Sequence, residues 1–358
     1  MTHPYTDMPA YRRWRTGVAD VAPGMLDPAV NFPFAIGPGH RIAAAGSCFA
    51  QHVARHLRGR GFAFLDAEPA HPMLPPETAQ AFGYGIFSAR YGNIYTSRQL
   101  LQLLRRAYLR FIPADDVWMR NDGRCHDPFR PGIQPDGFAT FREYDLDRAQ
   151  HFSAVRRVFE QVDVLIFTLG LTECWVSRHD GAAYPMCPGT VAGEYDPSQH
   201  ELLNLDVQDV ESDMHAFLDE FRAVNPSAKV ILTVSPVPLA ATAIDRHVLV
   251  STAASKAVLR VAAEKLAKLS GVAYFPAYEI ITAPSRGNGY FADDMRSIRE
   301  EGVEHVMNAF FRNACALQDG LAPALPAAGT RDEGFSERMK EAVDTICEEA
   351  RLDPPRRP

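Results

Sequence analysis

Short apolar runs alternate with segments of helical periodicity along most of the chain. Residues 41–46 (RIAAAG) form a compact apolar run closed by Gly-Ser, and 48–57 follow with Phe49, Val53, His56 and Leu57 at helical spacing. Phe62 to Leu65 is a second short run. The stretch 162–169 (VDVLIFTL) is β-branched and aromatic, follows an amphipathic segment at 154–161 and stops at Gly170. KVILTV at 229–234 follows a helix-like segment at 214–224 that Asn225-Pro226 closes, and VAYF at 272–275 follows a helical stretch at 251–269. A last core helix is predicted over 299–316.

Strands that are apolar on both faces and alternate with helices predict a parallel sheet covered on both sides. Right-handed crossovers make this a three-layer, doubly wound α/β fold of flavodoxin-like type. Ligands of such sheets bind beyond the carboxyl ends of the strands, near the point where strand order reverses. Three polar junctions follow the apolar runs and so fall at such ends: Gly46-Ser47, Gly170-Leu171-Thr172-Glu173 and Ser235-Pro236.

The expected division is an N-terminal extension at 1–40, an α/β domain at 41–318, and a linker, helix and tail at 319–358. Insertions near 111–150 and 174–205 are rich in turn residues and read as long irregular loops, the kind that serve as lids or binding loops. With 358 residues, 46% hydrophobic and 23% charged, the chain has material for a globular core without staples. A formal net charge of -7 offers no basic face, which argues against nucleic acid as a partner. The longest apolar run, 162–171, is too short to span a membrane, and the N-terminus lacks the apolar run of a secretory signal. Six cysteines without a C-x-x-C pair are expected to be free thiols in a reducing cytoplasm. Neither zinc-ligand spacing nor a nucleotide-binding glycine motif occurs, so no metal and no cofactor is expected.

A serine behind a glycine at a strand-to-helix junction has two readings. Ser47 is an N-cap, or it exposes its hydroxyl on a sharp turn where the N–H groups of the new helix can hold an oxyanion. Cys48, one residue on, would gain thiolate character from the helix dipole but more simply faces the core. Lys256 follows Ser255 on a helix, where neighbours point in different directions, and reads as one end of a surface salt bridge. Glu173 reads as a partner for Lys256 or an arginine. The glycine- and aromatic-rich segment 82–95 is either a flat pocket wall or a packed loop.

Taken together, GSCFA at 46–50, FTLG at 167–170, Ser235-Pro236-Val237, Ser255-Lys256, and Tyr274-Phe275-Pro276 with Tyr278-Glu279 resemble the GSCFA family. Through it they resemble the wider SGNH, or GDSL-like, hydrolases. The resemblance runs from about Ala43 to Phe311. It implies Ser47 as nucleophile, with its own N–H as one oxyanion donor. It implies Gly92, in Tyr91-Gly92-Asn93, as the second-block glycine, with Gly83 and Gly85 as competitors. Gly170 would open the third block. Where SGNH enzymes carry Gly-x-Asn-Asp this chain has Gly170-Leu171-Thr172-Glu173, so the Thr172 hydroxyl or the Asn93 amide has to supply the missing donor.

Where SGNH enzymes carry Asp-x-x-His the matching stretch is Asp294-Met295-Arg296-Ser297. A serine hydroxyl does not take up a proton near neutral pH, so it cannot be the base. His305, in the same C-terminal segment, is the preferred substitute, with His52 and His247 as other candidates. The resemblance implies a serine-dependent ester hydrolase or O-acyltransferase acting through an acyl-enzyme on a small-molecule or O-acylated carbohydrate ester. The missing histidine and asparagine leave a non-catalytic binding or scaffolding protein on the same fold as the alternative.

Overall fold

The computed structural model describes residues 3–22, 24–284, 289–315 and 348–352. In chain order the strands are β1 (Ile42–Gly46), β2 (Trp118–Met119), β3 (Cys125–His126), β4 (Val164–Leu169), β5 (Glu173–Ser177), β6 (Ala183–Tyr184), β7 (His200–Asn204), β8 (Lys229–Val234) and β9 (Val272–Tyr274). The α-helices are α1 (Cys48–Gly59), α2 (Pro76–Ala81), α3 (Ser97–Ala107), α4 (Phe141–Gln161), α5 (Val207–Val224), α6 (Val248–Leu266), α7 (Ala277–Thr282) and α8 (Glu300–Ala314).

The central sheet is parallel, in the order β1-β4-β8-β9. Its strands are largely apolar and buried because helices cover both faces. On β4, Leu165, Phe167 and Leu169 point into a core shared with α3, α4, α5 and α6, while Val164 and Ile166 point into one shared with α1, α7 and α8. Each such side chain contributes about 1.5–3 kcal/mol by leaving water. The predicted run at 62–65 is reduced to one parallel bridge, Phe64 with Ile42, on the other side of β1. The chain therefore leaves β1 toward one side and returns through β4 on the other. Strand order reverses at β1, where ligand sites of such sheets form.

Side chains replace the missing strand along the outer edge of β1. Ser88 Oγ accepts from the Ala44 N–H, the Tyr91 hydroxyl donates to the Ala44 carbonyl, and the Ile94 N–H donates to the Gly46 carbonyl. Buried backbone groups need partners, and meeting that need lays the 88–95 segment beside the carboxyl end of β1.

The structure differs from the sequence reading in the insertions. The stretch expected as irregular at 174–205 forms an antiparallel sheet, β6-β5-β7, in which Trp175 faces Tyr184 on one side and Leu202 on the other. The stretch expected as a loop near 111–150 holds the small hairpin β2–β3 and then the start of α4, which Thr140 caps by accepting the Glu143 N–H. The expected linker and most of the terminal helix at 336–352 lie outside the described residues. At 348–352 the chain makes a single 3-10 turn.

Candidate active site

Gly46 ends β1 with φ at +142°, a conformation that side chains rarely adopt, and a methyl group there would sit 2.6 Å from the Thr168 carbonyl oxygen. The tight approach to β4 turns the chain abruptly into α1. Ser47 occupies the N-cap with extended backbone, but its hydroxyl makes no capping bond. Instead its carbonyl accepts the Ala50 N–H. Ser47 Oγ is buried and has no hydrogen-bond partner among the described residues. An unmade buried hydroxyl bond costs about 1–3 kcal/mol, so the capping reading leaves this side chain unexplained.

Gly170, at the carboxyl end of β4, packs directly on that serine. A methyl group on it would lie 3.3 Å from Ser47 Cβ and 3.1 Å from the Tyr95 carbonyl oxygen. The N–H groups of Gly170 and Leu171 both donate to that Tyr95 carbonyl. The loop after β4 is held from the far side by α6: Ser255 Oγ accepts the Thr172 N–H at 3.1 Å, and Lys256 Nζ donates to the Gly170 carbonyl at 2.7 Å.

Lys256 corrects the surface salt bridge expected from its sequence. It is 1% exposed and its ammonium is bonded to a carbonyl. Burial pushes its pKa down from 10.5 to about 8, against the charges of Glu349 and Cys48 and with that of Arg296. Its head group is thus bonded to the glycine that packs on the unpartnered serine. The sequence carried a signal for this: position 256 shares a helical stripe with Leu259, Ala263 and Leu266, all buried.

The other predicted residues divide between those the fold brings to Ser47 and those it does not. Asn93 is buried, and its amide oxygen accepts from Gln51 Nε2 at 3.4 Å, one helical turn beyond Ser47. Gly92 takes φ +67° to make that turn. Gly170 N–H is committed to Tyr95, and the Thr172 hydroxyl donates to Asn204 Oδ1 at 2.7 Å, so both frame the site through bonds already made. Glu173 accepts from the Thr242 hydroxyl at 2.7 Å, where Lys256 or an arginine was expected.

Asp294 is exposed and holds its own loop. One oxygen accepts the N–H groups of Arg296 and Ser297, and the other takes the Ser297 hydroxyl at 2.6 Å. Burial raises its pKa, but these bonds outweigh it and leave the carboxyl below the usual range. His305 is not brought to Ser47. Its Nδ1 pairs with the Tyr290 hydroxyl at 2.8 Å and its Nε2 with the Leu26 carbonyl of the N-terminal extension at 2.7 Å, so both ring nitrogens are bound. His247 is exposed and caps α6 through the Leu249 N–H. His52 is driven down to about 4 by burial and by the Arg55 charge. It lines a cavity of about 320 Å³ with Gln51, Arg58 and Tyr84. Among the described residues no group of three or more His, Cys, Asp or Glu side chains could hold a metal ion. No helix among them is long and apolar enough to cross a membrane.

A sequence model of the GSCFA family matches residues 41–310. No curated protein matches the chain. Among solved structures, a Clostridium thermocellum family 3 carbohydrate esterase is similar at 10% identity and a TM-score of 0.32, over 76% of this chain and 94% of that one. A Corynascus thermopiles (Myceliophthora fergusii) carbohydrate esterase family 2 enzyme with a carbohydrate binding domain is similar at 14% identity and a TM-score of 0.25, over 78% and 68%. At those scores neither likeness bears on the reaction.

Proposed function

The chain belongs to the GSCFA family, and from that premise we propose that it is a serine-dependent ester hydrolase or O-acyltransferase working through an acyl-enzyme at Ser47. The observation that carries this reading is a buried, partnerless Ser47 hydroxyl packed on Gly170, whose carbonyl holds a buried lysine, at the point where strand order reverses.

Lys256 takes the part that histidine plays in related chemistry. In its neutral form the amine releases the Gly170 carbonyl and accepts the Ser47 proton as Oγ attacks the acyl carbonyl carbon. The oxygen that gains the charge faces the first N–H groups of α1, which have no helical partners of their own, with the Asn93 amide alongside. Collapse breaks the ester bond, and the leaving alcohol takes its proton from the Lys256 ammonium. Water or a second hydroxyl then repeats the sequence in reverse, and the choice between them separates hydrolysis from transfer. The cavity lined by Gln51, Arg58 and Tyr84 lies along α1 from Ser47. Its mixture of polar ends and one flat ring suits the alcohol half of an O-acylated carbohydrate.

The test is intact mass after incubation with a fluorophosphonate probe. A single adduct on wild type and on Cys48→Ala, absent from Ser47→Ala, is the expected result. Ser297 at the histidine position favours a second reading, a binding protein on the same fold, and absence of any adduct on folded protein whose pocket admits the probe would count against the enzyme and toward that reading.

A further inference from the structure

Glu349 lies in the 3-10 turn Glu348–Leu352, near the end of the chain, yet it is only 6% exposed. Its Oε2 stands 2.7 Å from Arg296 Nη2. Arg296 is itself largely buried and is anchored by its Nε, which donates to the Pro238 carbonyl at 3.2 Å in the loop after β8. The Glu349 charge is also the foremost one acting on Lys256. A carboxylate from the C-terminal turn is therefore paired with Arg296 and acts on a lysine bonded to the Gly170 that packs on Ser47.

Burying a carboxylate is unfavourable unless cations and hydrogen bonds replace its water, and an arginine with a second cation supplies both. Nothing in that arrangement is particular to a glutamate of the same chain. The acid half of a cleaved ester is also a carboxylate, and it would be released beside Ser47. Ser47 itself is only 4% exposed.

We propose that Arg296 and Lys256 form a carboxylate-binding subsite beside Ser47, filled here by the chain's own Glu349, and that a free carboxylate competes with the C-terminal turn for it. The identity of the natural acid rests on the acyl-enzyme reading; the subsite itself rests on these three side chains. While Glu349 is bound its charge favours the ammonium form of Lys256, which is the form that cannot act as a base. Departure of the turn removes that charge and lets the amine lose its proton more readily.

Saturation-transfer NMR with acetate as probe tests this on the full chain, on Glu349→Gln and on a chain ending at residue 347. Removing the internal competitor is expected to tighten acetate binding by about tenfold or more in both variants. Acetamide, the neutral counterpart, is expected not to bind, and adding Arg296→Gln to Glu349→Gln is expected to abolish acetate binding. Equal acetate affinity in all three proteins, or none in either folded variant, overturns the proposal. So does displacement of acetate by chloride at constant ionic strength, which would reveal a general anion site. Fluorophosphonate labelling reports on Ser47 separately: acetate binding without labelling keeps the subsite and removes the acyl-enzyme, and labelling without acetate binding does the reverse.

Discussion

Two clusters of buried polar side chains are built on opposite rules. The first joins Glu68, Arg90, Asp127, Arg130, Asp147 and His151. Arg130 pairs with Asp127 at 2.8 Å and Asp147 at 2.9 Å, and Arg90 pairs with Asp147 at 2.7 Å. Glu68 Oε2 takes both His151 Nδ1 and the Arg90 N–H at 2.8 Å. Burial pushes Glu68 up, but the bond from His151 and the charge of Arg130 hold it at about 2. Burial and the Arg130 charge push the His151 pKa down against the pull of the Glu68 carboxylate. The second cluster, at Ser47 and Lys256, has a hydroxyl with no partner and an ammonium bonded to a carbonyl.

The contrast is instructive because the first cluster looks more like a catalytic pair. His151 sits on a carboxylate with its Nε2 unpartnered among the described residues, as an orienting acid and a base would be arranged. However, the small cavity it lines, with Asn93 and Arg106, has about 20 Å³, room for roughly one water. The cluster ties the 66–68 and 82–90 segments to the insertion and to α4, and opposite charges offset the cost of burying one another. At Ser47 the fold leaves a buried hydroxyl without a partner at the carboxyl end of β1, where ligands reach such sheets.

Substitutions should separate the two clusters. Lys256→Met is expected to slow fluorophosphonate labelling of Ser47 by about 10²- to 10⁴-fold in protein that still folds. Asp127→Asn should act on stability instead. It leaves Arg130 short of a buried partner and should cost about 3–5 kcal/mol in urea unfolding, with labelling per folded molecule unchanged.

Lys256 should also write itself into the pH dependence of stability. Its folded pKa, about 8, lies below the ordinary 10.5, so the unfolded chain binds more protons between those values. The burial penalty is complete below pH 8 and is relieved as pH rises to 10.5. The gain is on the order of 3 kcal/mol and should be missing from a Lys256→Met titration. The smallest effect is expected from His151→Gln: about 1–3 kcal/mol of stability from the disturbed Glu68 bond, read by denaturant midpoint, with labelling intact.

The sheet was legible because β1, β4 and β8 are covered on both faces and so carry unbroken apolar runs. Gly46-Ser47 was legible as a junction for the same reason. The α3 start was present as Thr96 and Gln99, a capping box that the structure forms in full, but it lies among glycine-rich turns that masked it. The β6-β5-β7 sheet was hidden because its strands are short and its pairing joins β5 to a strand more than twenty residues on. The base was sought among His305, His52 and His247, with His305 preferred because it shares the C-terminal segment with residue 297. Which face of α8 carries His305 depends on where that helix starts and on the N-terminal extension packed against it, and neither shows in local pattern. Lys256 needed both its buried stripe and a partner 86 residues away, the Gly170 carbonyl.

The most direct test of the pairing of Ser47 with Lys256 is the rate of fluorophosphonate labelling against pH, in wild type and in Lys256→Met. The account expects the wild-type rate to climb tenfold per pH unit and level off near pH 8, and expects that titration to vanish in the variant. A variant that labels at the wild-type rate with the same pH profile would contradict it.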